Sequence, residues 1–209
     1  MSNDWMPEEP QGRSSMSRYV QPKSWQEFKE KGGIVQRARY RILDRGIGGF
    51  VGFTKANKPI RARQLIDFPP GTEWREGKDE KGNARPELPR AFFAFPVWDY
   101  EAAPGDGTTG AVLIWEMPQK ALRDALSAIV KAWGPPTGYD VQVERKGKGF
   151  DTEYSLVNLP PTPMPAAAAA KWDALANSGF DLTKLYDGGD PFPTSLATAP
   201  ENPADGVPF

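Results

Sequence analysis

The stretch RAFFAFPVWDY, residues 90–100, decides how the rest of the chain is read. Phe92, Phe93, Phe95, Trp98 and Tyr100 fall within one strand's length, with Arg90 at its start. Aromatic side chains favour the pleated, half-buried surface of a sheet. A strand with one wet face alternates apolar and polar residues, and here the polar partners are nearly missing. Both faces therefore carry large apolar groups, so either protein covers both or one face meets a ligand. Alternation puts Phe93, Phe95 and Val97 on one side, to fill a small core, and turns Trp98 and Tyr100 to the other. Pro96 predicts a bend or an edge position in the strand.

Upstream, residues 34–43 alternate as well. Ile34, Ala38, Tyr40 and Ile42 share one parity, and Arg37, Arg39 and Arg41 the other, which predicts a strand with one core face and one cationic face. Three arginines on one face repel one another unless they are solvated or matched to anions. Turn residues at 44–49 lead to a second strand over 50–54 carrying Phe53, a reversal with Lys55 and Lys58 around it, and a strand over 60–65 that places Arg61 and Arg63 on one side. Residues 67–89 form a long polar loop in which Trp74 either folds back on the core or stays available for stacking.

Downstream, the pattern predicts a strand over 111–116, a helix over 118–133 and a terminal hairpin. The helix repeats Leu122, Leu126, Ile129 and Trp133 on one face, with Lys120, Arg123, Asp124, Ser127 and Lys131 on the other. The hairpin sets Tyr139, Val141 and Val143 against Asp140, Gln142 and Glu144, turns at a basic tip bearing Lys146 and Lys148, and returns over 151–157. Strands, one helix and a closing hairpin match a mainly β fold. The expectation is a five-stranded OB barrel with one amphipathic helix before the last hairpin, and a split β-sandwich with one helix is the competing fold.

Composition bounds the rest. The chain has 209 residues, 39% hydrophobic, with mean hydropathy −0.58, 21 Gly and 22 Pro. This suggests one domain over 21–159 between looser segments: a flexible arm at 1–20, and at 160–209 a Pro/Ala linker with a short helix through Trp172 and Leu175, then an acidic disordered tail. Ser24 and Glu27 read as the capping box of a short helix before Gly32 and Gly33. No segment resembles a signal peptide and none approaches the roughly 20 apolar residues of a membrane span, so a soluble, cytoplasmic protein without membrane contact is expected. With Cys 0 and His 0, thiol and imidazole chemistry, disulfides and Cys/His zinc sites are removed. Asp99, Glu101, Glu116, Asp140 and Asp151 are scattered and no phosphate-cradling loop occurs. The expectation is a protein that is not an enzyme, with no cofactor and no metal.

The net charge of −1 hides an asymmetry. Residues 17–63 hold twelve bases and three acids, whereas after Trp172 six acids face Lys184 alone. A basic body implies a polyanionic partner, and an acidic tail can compete for it. Arg37, Arg39, Arg41, Phe53, Lys55, Lys58, Arg61, Arg63, Trp74, Arg90, Trp98, Tyr100, Lys146 and Lys148 interleave bases with aromatics on strands and loops. Single-stranded nucleic acid requires that mixture, since Lys and Arg track phosphates while aromatics stack bases. A duplex reader more often presents a basic recognition helix. Trp98, Phe53 and Trp74 are the stacking candidates, while Phe93, Phe95, Val97, Trp115 and Trp133 are assigned to the core. The rival readings are a protein-interaction or oligomerisation module built on the aromatic strands, and an RNA-binding protein.

The final residues, Asp205, Val207, Pro208 and Phe209, form an acidic, apolar-tipped tail that resembles the partner-recruiting end of bacterial single-stranded DNA-binding proteins. The segments DRGIGGFVGFTKANKPIRAR, RAFFAFPVWDYEA, AVLIWEMPQKALRDALSAIVKAWGPPTGYDVQVERKGKGFDTEYSLV and LYDGGDPF are similar to single-stranded DNA-binding proteins of tailed bacteriophages, over about residues 24–192. The resemblance implies an OB fold, sequence-independent binding of single-stranded DNA, and work in phage DNA replication, recombination and repair in the host cytoplasm, with the tail recruiting replication and recombination proteins. The structural zinc of some members does not carry over to a chain without Cys or His. Their basic N-terminal arm has only Arg13 and Arg18 as counterparts.

Overall fold

The computed structural model describes residues 5–6, 26–30, 33–78, 82–102, 109–147 and 152–193. Alternating side chains build ten strands, all paired antiparallel: β1 (Gln26–Glu30), β2 (Gly33–Ile42), β3 (Ile47–Phe53), β4 (Pro59–Ala62), β5 (Glu76–Lys78), β6 (Ala84–Pro86), β7 (Arg90–Asp99), β8 (Ala111–Met117), β9 (Tyr139–Lys146) and β10 (Glu153–Pro161). Two helices join them, α1 (Lys120–Trp133) between β8 and β9, and α2 (Ala166–Asn177) after β10. The protein is mainly β.

The opening stretch is β7, and the sheet is organised around it. β2 and β3 run one after the other along a single edge of β7, with Ile42 opposite Val97 and Ile47 opposite Ala94. Residues 43–46 bend between them, and Gly46 is required there because a Cβ would run into the Ala94 carbonyl and the Phe95 ring. Leu43 N donates to Pro96 O (2.9 Å) at this bend. A strand residue points its N and O to the same side, so the N–H that Pro96 lacks falls at the gap between β2 and β3 and costs no ladder bond. β8 holds the other edge of β7, and β2 pairs onward to β9 and β10. The order is thus β8–β7–β2–β9–β10, with β3–β4 continuing along β7 and β1 along β2. The sheet is open: among the described residues no ladder joins β8 to β10. α1 packs on both of these strands and on β7.

The inner face of β7 follows the expected parity. Phe93, Phe95 and Val97 meet Tyr40, Ile42, Trp115, Val141 and Val143, and α1 adds Leu122, Leu126 and Val130. Two helix positions differ from the sequence pattern. Arg123, expected on the polar face, is fully buried, because its length carries the guanidinium to the carbonyls of Ala91 (3.0 Å) and Pro118 (2.7 Å). Trp133, expected in the core, is 55% exposed. As the last helical residue it has protein on one side only, resting edge-on against Tyr139 at 6.4 Å between centroids.

The outer face is covered by the chain itself. Phe92, Ala94 and Val51 pack under Leu182 and Leu185 of the 3-10 helix Leu182–Asp187, while Trp98, Leu43 and Val112 pack under Ala168 of α2. The short helix through Trp172 and Leu175 forms as expected, but the order of the chain continues past it. Residues 178–193, read as disordered tail, carry Phe180, Leu182, Leu185, Tyr186 and Phe192 onto the sheet. Their acidic, Gly/Pro-rich average conceals these apolar groups, and each leucine buried this way contributes about 1.5–3 kcal/mol. Residues 26–30 also depart from expectation: they form β1 and not a helix, since five residues nucleate a helix poorly and the edge of β2 offers a ladder from Gln26↔Arg37 to Glu30↔Gly33. No helix among the described residues is long and apolar enough to cross a membrane.

Candidate nucleic-acid interface

The arginine face of β2 meets its anions on β9. Register places Arg37 opposite Glu144, Arg39 opposite Gln142 and Arg41 opposite Asp140. Arg37 Nε donates to Glu144 (2.6 Å). Arg39 Nε donates to Asp140 (2.8 Å), with a second short bond from its Nη2. Arg41 also donates to Asp140 and, from its two terminal nitrogens, to Thr137 O (3.1 Å), Thr162 O (3.1 Å) and Thr162 Oγ1 (2.8 Å). Tyr100 OH donates to the same carboxylate at 3.0 Å. The expected cationic stripe is therefore an ion-pair ladder in which three arginines share two carboxylates. Arg41 is 0% exposed and leaves the interface, a correction to its expected role. Arg39 keeps 45% of its side chain exposed, with its guanidinium 4.5 Å above the half-buried ring of Tyr100. Lys146 prolongs the ladder in solvent, 3.9 Å from Glu144.

Charge states follow from these contacts. Burial works against the charge of Arg39, but the hydrogen bond and charge of Asp140, with Tyr100, outweigh it and raise its pKa. Burial raises the Tyr100 hydroxyl, and the neighbouring Asp140 raises it further. The hydrogen bond from Arg37 holds Glu144 below the usual carboxylate range. Asp99, buried at the end of β7, is pushed up to about 6 by desolvation, although its carboxylate accepts the backbone N–H of Glu101 at 2.9 Å.

The other predicted bases collect at the opposite end of β7. Val51 of β3 lies opposite Arg90, and Arg90 and Asp99 are the two ends of a ten-residue strand, so the two clusters stand roughly 30 Å apart along the strand. Arg90 pairs with Glu87 (2.6 Å), Arg61 pairs with Glu116, and Lys55 lies 3.4 Å from Glu73. Lys58 and Arg63 are exposed, Arg63 over the ring of Tyr186 at 5.1 Å. Phe53 is half-buried, with the Arg75 guanidinium 4.8 Å above its ring. Arg75 Nε donates to Glu87 at 2.7 Å. Burial raises the Glu87 carboxyl, but the bonds and charges of Arg75 and Arg90 prevail and lower its pKa. The cleft between Phe53, Leu88, Arg90 and Pro118 holds about 20 Å³, room for about one water and not for a base.

Two stacking candidates pack against the protein, Trp98 fully and Trp74 in part. Trp98 is 3% exposed, because α2 covers it and Gly110 packs so tightly that a Cβ there would strike the indole. Trp74 folds back, bridging Thr54, lying over Gly52 and meeting Phe68 edge-on at 5.1 Å. Lys148 and the tail residues Asp205, Val207, Pro208 and Phe209 lie outside the described residues. The single expected groove is in fact two clusters, one at Arg37, Arg39, Tyr100 and Lys146, the other at Phe53, Lys58, Arg61, Arg63 and Arg90, with the C-terminal segment packed between them on the same face.

No family model, curated protein or solved structure matches the chain. The geometry therefore stands by itself. It brings Asp140, Glu144, Arg75 and Glu87 into contact with the predicted residues. The alternation of Asp140, Gln142 and Glu144 was the available signal for the first two, being complementary in spacing to the arginines of β2.

Proposed function

We propose that the chain is a sequence-independent single-stranded DNA-binding protein built on an OB-type barrel. The β2–β3 ribbon serves as first strand, β7 and β8 as second and third, and β9 and β10 as fourth and fifth. α1 falls between third and fourth and lies against both ends of the sheet, which is the place of the helix in that barrel. The observation that carries the binding reading is the solvent side of the ladder on the outer face: Arg37 and Arg39, extended by Lys146 and lying beside the half-exposed Tyr100. The preference for DNA, the work in phage replication, recombination and repair in the host cytoplasm, and recruitment of partner proteins through the acidic tail rest on the resemblance to phage single-stranded DNA-binding proteins. The acidic tail competes with DNA for the same face. The oligomerisation reading loses its motive, because both faces of β7 are buried within one chain.

The test is anisotropy of labelled 30-mers of dT, of U and of duplex DNA at several salt concentrations. The expected order is dT first, with log affinity falling linearly in log salt and a slope of about −0.7 per phosphate neutralised. Tighter binding of U makes the protein an RNA binder, and no binding at low salt sinks the proposal.

A further inference from the structure

Resting on that reading, we infer that its bases stack on two composite platforms, the guanidinium of Arg39 held over Tyr100 and that of Arg75 held over Phe53. The two are built alike. In each, a carboxylate takes the edge of the guanidinium: Asp140 accepts from Nε and Nη2 of Arg39, and Glu87 accepts from Nε and Nη2 of Arg75. In each, the guanidinium carbon lies over an aromatic ring, 4.5 Å from the centroid for Arg39 and 4.8 Å for Arg75. The side chains nevertheless remain 45% and 39% exposed.

An arginine that grips phosphate uses its edge, as a bidentate fork. Here the Nε–Nη2 edge of each guanidinium is already engaged, by Asp140 for Arg39 and by Glu87 for Arg75, although each carboxylate is shared with a second arginine, Arg41 or Arg90. On this inference the side of each guanidinium turned away from its ring is the plane that meets a base, on side chains that keep 45% and 39% of their surface exposed. Nucleobases stack on guanidinium planes as they do on aromatic rings. Beside these clusters the two predicted indoles are occupied otherwise, Trp98 being buried and Trp74 folded back on Gly52. The stacking surface is supplied by arginine, clamped so that little rotamer freedom is lost on binding. The platforms mark the two ends of β7, so a strand that uses both follows β7 across the C-terminal segment.

Arg39→Lys and Arg75→Lys keep the charge and remove the plane. Each is titrated with a dT 30-mer and with an abasic 30-mer that has the same phosphates and no bases. Each variant is expected to lose about fivefold or more on dT, the lower range for one stacked base, and less than twofold on the abasic strand. Phe53→Leu, which removes the ring beneath Arg75, should reproduce the split. Equal losses on both oligomers in the lysine variants and in Phe53→Leu overturn the platforms and leave phosphate contact in their place. A wild-type protein that binds dT and abasic strands equally well also overturns the platforms while preserving the DNA-binding reading. A wild-type protein that binds neither overturns both.

Discussion

Asp140 is where the largest effect of a single atom exchange is expected. Its carboxylate, 1% exposed, receives Arg39, Arg41 and the Tyr100 hydroxyl. Asp140→Asn preserves shape and one acceptor but removes the charge. Arg41 is then a buried cation with only neutral oxygens around it, those of Thr137 and Thr162. Removing one partner of a buried pair costs about 3–5 kcal/mol, and the retained amide oxygen places the asparagine variant near 3. For a folded unit of this size that corresponds to a fall in Tm of roughly 6–12 °C. Glu144→Gln is the matched control: its pair with Arg37 is partly solvated, so it should cost about 0–1 kcal/mol. Urea unfolding at pH 7, followed by far-UV circular dichroism, measures both. Adding Arg41→Met to Asp140→Asn removes the stranded charge and should recover at least half of the loss. The reasoning fails if Asp140→Asn costs no more than Glu144→Gln, or if Arg41→Met restores nothing.

Three further outcomes follow from the packing. Asp99, at about 6, holds a proton in the folded chain that an unfolded aspartate, near 3.9, has already lost. Stability from this group therefore declines as pH rises from about 4 to 6. Asp99→Asn should gain on wild type across that window and keep the gain at pH 7, whereas a pH-independent difference in urea midpoint refutes the assignment. Gly110 sits at φ +91° against the Trp98 indole, so Gly110→Ala combines backbone strain with overpacking and should cost roughly 2–4 kcal/mol, and a loss below about 0.5 would contradict the close approach. A chain ended at Asn177 lacks Leu182 and Leu185, which one ended at Pro193 retains, and should be less stable by up to about 3–6 kcal/mol and bind a hydrophobic dye at the uncovered Phe92 and Val51. Equal midpoints would show that the segment does not hold the sheet.

Much of the architecture was legible in the chain. The parities of β2, β7 and β9, the helix over Leu122 and Leu126, and the closing hairpin all follow from periods of 2 and 3.6 that act over a few residues. The candidate site was legible only in part. Arg37, Arg39 and Tyr100 were placed on the right face, yet the same logic put Arg41 in solvent and Trp98 against DNA. Alternation assigns a side chain to a face and says nothing of what lies over that face. Gln26 to Glu30 failed for a related reason, since a capping signal worth about 1 kcal/mol yields to an open strand edge.

By itself the sequence determined that residues 90–100 would form a strand with two apolar faces, that arginines would line one side of its neighbour, and that thiol and imidazole chemistry would be absent. Only the tertiary structure decided that both faces of that strand are covered by protein, the second by Leu182, Leu185 and Ala168 from the far end of the chain. It also decided that the arginines of β2 are paired with carboxylates about 100 residues away. The physical reason is common to both. Local period is set by backbone geometry and is written in neighbouring residues. Burial and ion pairing depend on which distant segment arrives at a face, and that depends on the summed energy of the whole packing.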